Sequence, residues 1–160
     1  MRGAYVLFDK FGNEVAIVPN TLVGEGHAAL MDALFNRDDI TNVSFEFGVF
    51  SEVPAYGTVF SAAYASEPVG NGYARDAIAA SGWTITTDGE EVYATSPAVT
   101  FTAAGGDFDK TFNRFFMILL IEQPAATVTQ TLASYSSALA EAVQILNGQS
   151  YVMAYRVYTR

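Results

Sequence analysis

Along most of the chain, apolar and polar residues alternate over short runs. Asn42–Phe50 is the clearest case: Val43, Phe45, Phe47 and Val49 share one side, with Ser44, Glu46 and Gly48 on the other. That two-residue period belongs to a half-buried strand. Tyr5–Phe8 and Glu14–Val18 flank DKFGN and predict a hairpin, with Gly12-Asn13 supplying positive φ and Pro19-Asn20 ending the second strand. From Gly24 the period changes. Ala29, Leu30, Ala33 and Leu34 fall on one helical face with Phe35 beside them, which predicts one helix of about three turns closed by Asn36–Asp39.

Further strands are predicted at Thr58–Ala65, Tyr73–Ala79, Val99–Ala103, Thr111–Ile121 and Ser150–Thr159. WTITTDGEEVYATS, with Asp88-Gly89 between β-rich runs, predicts a second hairpin. The segment Leu132–Leu146 fits a helical face as well as two strands broken near Ser136–Ala138, and the two strands are favoured. Many short strands, Gly- and Pro-containing turns and one short N-terminal helix predict a mainly β fold. An antiparallel β-sandwich of jelly-roll type is the expected architecture. No repeat and no linker composition interrupts the chain, so residues 1–160 are expected to form one domain, with 1–20 as a candidate N-terminal hairpin arm.

Composition narrows the classes. Of 160 residues, 51% are apolar and 16% charged, the opposite of the balance that keeps a chain disordered. Apolar content somewhat above the norm suggests that neighbouring subunits cover part of the surface. The net charge of −9 comes from 17 acidic and 8 scattered basic residues. Without a basic face, neither nucleic acid nor an anionic membrane is an expected partner. There is no cysteine, which excludes disulfides and thiolate chemistry. Asp9 and Lys10 interrupt any secretory h-region, and the most apolar run, FFMILLI at Phe115–Ile121, is far shorter than the roughly 20 residues of a membrane span. Synthesis and retention in the cytoplasm of the producing cell are expected, unless the chain is built into an assembly.

In EPVGNGYARDAI, Gly70 and Gly72 match the first half of a dinucleotide fingerprint, but Arg75 stands where the third glycine belongs, and no Gly-Lys-Ser/Thr triplet exists for a Walker loop. The glycines read instead as positive-φ turn residues ahead of a strand. His27, the sole histidine, lies near a helix start with no G-x-S-x-G elbow to pair with and no ligand set for zinc. Asp107 and Asp109 in GGDFDK lack the rest of a calcium loop, and Glu90-Glu91 reads as a charged hairpin tip. Sequence cannot set any carboxylate pair at the separation that glycoside hydrolysis needs. No catalytic residue, cofactor or metal site is expected.

The succession EPVGNGYAR, Trp83 and TSPAVTFTAAGGDF resembles a family of small tailed-phage virion proteins. In that family a G-G/N-G-Y-A-R turn precedes a V-x-F strand and a GG-D-W/F turn. Here the corresponding residues are Gly70, Asn71, Gly72, Tyr73, Ala74 and Arg75; Val99, Thr100 and Phe101; and Gly105, Gly106, Asp107 and Phe108. The likeness runs from about Asn36 to Tyr158. It departs after GGDF, where DKTFNRFFMILLI replaces a small-residue strand, and Met1–Pro19 has no counterpart. The resemblance implies a β-sandwich head-decoration or minor tail protein with no catalytic residues to transfer. The expectation is a capsid cement protein at the virion surface, its partners the major capsid protein and copies of itself as a dimer or trimer. The alternative is a tail-associated module that recognises a host glycan. Arg75 is open to two roles, a contact to a partner or an internal strut paired with an acid.

Overall fold

The computed structural model describes residues 2–22, 24–35, 40–52, 66–124 and 128–158. In chain order these form β1 (Arg2–Phe8), β2 (Glu14–Leu22), α1 (Gly24–Phe35), β3 (Asn42–Phe50), β4 (Asp76–Ala79) and a 3-10 turn (Ala80–Gly82). β5 (Thr84–Asp88), β6 (Glu91–Thr95), β7 (Val99–Thr102), β8 (Arg114–Glu122), β9 (Val128–Ser136) and β10 (Ser150–Tyr158) follow. The fold is mainly β, and every described strand pairing is antiparallel.

Strand order dictates the shape. Nine strands run in one hydrogen-bonded path, β4-β3-β8-β9-β2-β1-β10-β6-β5, and β7 pairs with β10 beside it. Laid flat, such a path would separate β4 from β5 by roughly 38 Å at about 4.8 Å per strand. Yet β4 and β5 are consecutive in the chain, joined only through residues 80–83, and the step from Ala79 to Thr84 spans no more than about 18 Å. The sheet therefore curls until its two ends face each other. One layer holds β4, β3, β8 and β9; the other holds β2, β1, β10 and the strands beside it.

Aromatic rings fill the space between the layers. Tyr5 of β1 lies 5.6 Å from Phe115 of β8 and 4.8 Å from Tyr155 of β10, and Phe47 of β3 lies 6.2 Å from Tyr155, centroid to centroid. Ala29 and Leu30 of α1 pack against the same core. A smaller cluster, Phe50, Phe116 and Ile118, occupies the other face of β3 and β8. β8 is thus buried on both faces, which explains why FFMILLI is continuously apolar rather than alternating.

Several predicted boundaries move. β1 is an interior strand between β2 and β10 with Tyr5 and Val6 fully buried, so the described part of the expected arm, residues 2–20, is built into the sheet. β2 does not stop at Pro19-Asn20. Ala4 pairs with Pro19, and from Asn20 the strand continues by pairing with β9, so the chain passes between layers where proline lacks a donor. In the β1–β2 turn only Gly12 takes positive φ; Asn13 instead donates its backbone N–H and side-chain amide to Asp9. β4 begins at Asp76, not Tyr73, because Tyr73 N–H is bonded back to Gly70 O and closes a turn. β8 begins at Arg114. The region 132–146 is strand to Ser136 and then irregular, touching Phe112 by a single bridge at Val143, so neither a helix nor a second full strand forms. The expected strand Thr58–Ala65 lies outside the described residues.

Tyr155 ties the core to pH. Its hydroxyl accepts from Asn20 Nδ2, and Asn20 Oδ1 accepts from Gly3 N–H at 3.0 Å. Burial pushes the phenol up to about 12, against a lesser opposing effect of a hydrogen bond with Ser134. The unfolded chain releases this proton near pH 10 while the folded chain retains it, so stability is full below about pH 10 and is lost as pH rises through the folded value. Urea midpoints between pH 8 and 12 should fall with pH, and Tyr155→Phe should make the decline shallower by about one proton. An unchanged slope in the variant would show that the phenol does not titrate differently on unfolding.

Candidate functional site

The residues singled out in the sequence converge at one end of the curled sheet. There the loop 66–75 meets the loop 103–112 and the loop 143–149. Gly70, Asn71 and Gly72 all take left-handed φ, at 81°, 51° and 82°. Three such residues in succession turn the chain sharply, and glycine takes two of the positions because an L side chain there is strained. Asn71 then stitches the loops together. Its carbonyl accepts from Ala104 N–H at 2.8 Å, its amide donates to Asp107 O, and a Cβ at Gly106 would come 3.1 Å from its side chain.

Asp107 and Asp109 act from the second loop. Asp107 Oδ1 accepts from Asn147 N–H at 2.8 Å, whereas Asp109 Oδ1 accepts from Val69 N–H at 2.7 Å. The two carboxylates are thus turned to different loops, each neutralising an otherwise unpaired backbone donor. Lys110 Nζ donates to Glu67 O at 3.0 Å, and Phe108 N–H donates to Ile145 O at 3.0 Å. Gly105, at φ 84°, makes the bend that brings these groups round. Among the described residues no group of three His, Asp or Glu side chains is placed to hold a metal ion. His27 falls in α1, with its side chain outside the described set.

Tyr73 and Arg75 hold the first loop to β3. The Tyr73 ring sits against Phe101 and Phe108, with centroids at 6.0 and 5.3 Å. Its hydroxyl donates to Glu67 Oε1 at 2.5 Å and accepts from Val49 N–H at 3.1 Å. That reach requires Gly48, since a Cβ there would lie 2.8 Å from the Tyr73 hydroxyl and 2.2 Å from the Phe116 ring. Burial, then the charge of Glu67 and the hydrogen bond to it, hold the phenol far above its usual range, so it stays a donor.

Arg75 is an internal strut. Its Nη2 meets Glu67 Oε2 at 2.7 Å, its Nε meets both carboxylate oxygens at 2.9 and 3.2 Å, and its Nη1 reaches Glu46 Oε2 at 3.4 Å. The guanidinium also lies over the Phe116 ring at 5.4 Å. Burial alone would lower its pKa, but the hydrogen bonds and charges of Glu67 and then Glu46 outweigh this and raise it. Glu67, the acceptor common to Tyr73 and Arg75, is buried, and both its oxygens are occupied by donors. This cluster fixes the loop to β3 through Glu67 and Glu46. Sequence reading singled out Tyr73 and Arg75 but neither acid. Glu46 sits on the polar side of a clearly alternating strand, and that is the one signal pointing to it.

Two pairs of variants separate strain from charge. Gly72→Ala should destabilise by about 1–3 kcal/mol, because the left-handed conformation is strained and a Cβ would come 3.1 Å from Ala104 and Thr102 O. Gly105→Ala, equally left-handed but with nothing within 4 Å, should cost less. Equal losses in chemical denaturation would mean that closeness to Ala104 is immaterial. Glu67→Gln should cost about 1–3 kcal/mol by leaving Arg75 and Tyr73 short of an anionic acceptor. A loss no larger than that of Glu90→Gln at the exposed hairpin tip would contradict the strut.

No protein-family model matches the chain, no curated protein is significantly similar to it, and no solved structure matches its fold.

Proposed function

We propose that the protein is a structural component of a tailed-phage particle, a decoration or cement protein that clamps neighbouring shell subunits. The supporting observation is that the segments carrying the resemblance meet in one place. GNGYAR, VTF and GGDF are distant in sequence, yet Tyr73 packs between Phe101 and Phe108, and Asn71 joins Ala104 and Asp107. They form a single latch. A latch whose polar groups satisfy one another suits a subunit that works by holding shape.

A clamping subunit also needs a surface to offer. Residues Glu14–Val18 of β2 pair with β1 alone among the described strands; β9 pairs with β2 only from Asn20 onward. On this edge Val15 and Ile17 are 60% and 54% exposed, and Phe11 at the adjoining turn is 78% exposed. Edge strands that must stay single usually carry Lys or Pro, and Glu14–Val18 carries neither. Such an edge is suited to accept a strand from the major capsid protein or from a second copy of this chain. Repetition by capsid symmetry would multiply weak contacts into firm attachment.

Electron cryomicroscopy of particles from the phage encoding this chain tests the proposal directly. The expected result is hundreds of copies arrayed on the shell with the Glu14–Val18 edge at a contact. A Val15→Lys/Ile17→Lys variant should keep its unfolding midpoint and lose shell occupancy. A few copies at the tail would replace the clamp with a host-glycan recognition role, and absence from the particle would overturn both.

A further inference from the structure

The curled sheet does not close completely, and a cavity of about 320 Å³ opens between its ends. Its wall draws on both layers and on α1: Leu30, Phe45, Trp83, Met117, Tyr155 and Val157. Trp83 follows the 3-10 turn that joins the two ends of the sheet, and its ring lies 5.1 Å from Phe45 and 6.1 Å from Tyr155. Trp83 Nε1 is buried and has no hydrogen-bond partner among the described residues. Protein interiors ordinarily leave few voids larger than a water molecule. A space this large and this apolar offers water few partners and suits an apolar occupant.

Among the described residues one cationic group lines it. Arg2, at the start of β1, has a side chain 69% exposed and lies over the Tyr158 ring at 5.3 Å. Its contact to Glu91 is long, at 3.4 Å, and both partners are exposed. A pair of this kind contributes little and is readily exchanged for another carboxylate. We propose that this cavity binds an aliphatic carboxylate, with the hydrocarbon against Trp83 and Phe45 and the carboxylate on Arg2. The volume is roughly twice that of the apolar cavity of about 150 Å³ known to take up benzene, which corresponds to a chain of about eight to twelve carbons. The chain's net charge of −9 opposes any anion at long range, so the affinity rests mainly on the apolar body.

Trp83 is the only tryptophan, so its fluorescence reports on this wall alone. The probe is 11-bromoundecanoate, whose bromine quenches indole on contact, titrated into the full-length protein and then displaced with decanoate. Saturable quenching reversed by decanoate is expected. Arg2→Gln should weaken it about tenfold, the effect of losing one charge-assisted contact. Ala80→Phe, which fills the cavity from an exposed position, should abolish it while circular dichroism stays unchanged. Ala94→Phe provides a second filling variant should the first fail to fold. Quenching that does not saturate, or that persists in a folded filling variant, would overturn the site. Displacement by decylammonium as effective as that by decanoate would overturn the role of Arg2.

Discussion

Chain connectivity across the two ends of the sheet is the constraint on which the rest of the molecule depends. A path of nine strands ends in β4 and β5, and only residues 80–83 lie between them. Backbone reach alone forces the sheet to fold over, and folding over creates the interior in which Tyr5, Phe47, Phe115 and Tyr155 meet. Burial of these rings then supplies the driving force that holds the curl. The same closure leaves a gap beside Trp83, because four residues can join the ends without pairing them.

The opposite end of the sheet is secured differently. Between the loops 66–75, 103–112 and 143–149 the backbone hydrogen bonds are scattered, among them Ala104 N–H to Asn71 O and Phe108 N–H to Ile145 O, and side chains add to them. Asn71, Asp107 and Asp109 each satisfy a backbone group of another loop, and Glu67 gathers Tyr73 and Arg75. Polar groups removed from water are costly unless paired, and here the pairing is nearly closed. A turn that resembles a nucleotide-binding loop in its glycines is thereby occupied with its own chain. The same glycines that suggested phosphate allow Asn71 and Tyr73 to approach their neighbours.

These two ends bear differently on the proposed role. The latch holds three loops in fixed positions, whereas the stretch of β2 paired on one side and the cavity beside Trp83 offer surfaces. β2 is divided by Pro19: before it the strand has one neighbour among the described strands, and after it the strand joins β9. The hairpin is therefore both part of the core, through Tyr5 and Val6, and an exposed edge, through Val15 and Ile17.

Much of the local structure was legible in the sequence. The alternation of Asn42–Phe50, the Asp88-Gly89 hairpin and the helical period after Gly24 each encode an element through short-range sterics and a local apolar face. Gly70 and Gly72 were legible as positive-φ residues for the same reason. Boundaries failed where a distant partner decided them. Tyr73 leaves the strand because Glu67 and Val49 claim its hydroxyl, β2 outlasts Pro19 because β9 waits beyond it, and Leu139–Leu146 stays irregular because only Val143 meets Phe112. Glu46, Glu67 and the Trp83 cavity had almost no local signal, since each depends on residues brought together by the curl. Sequence by itself determined which segments could be strand, helix or turn, because those preferences act over a few residues. Tertiary structure alone decided which strands are neighbours, which charges are paired and where space is left, because these follow from how the closed sheet positions distant parts of the chain.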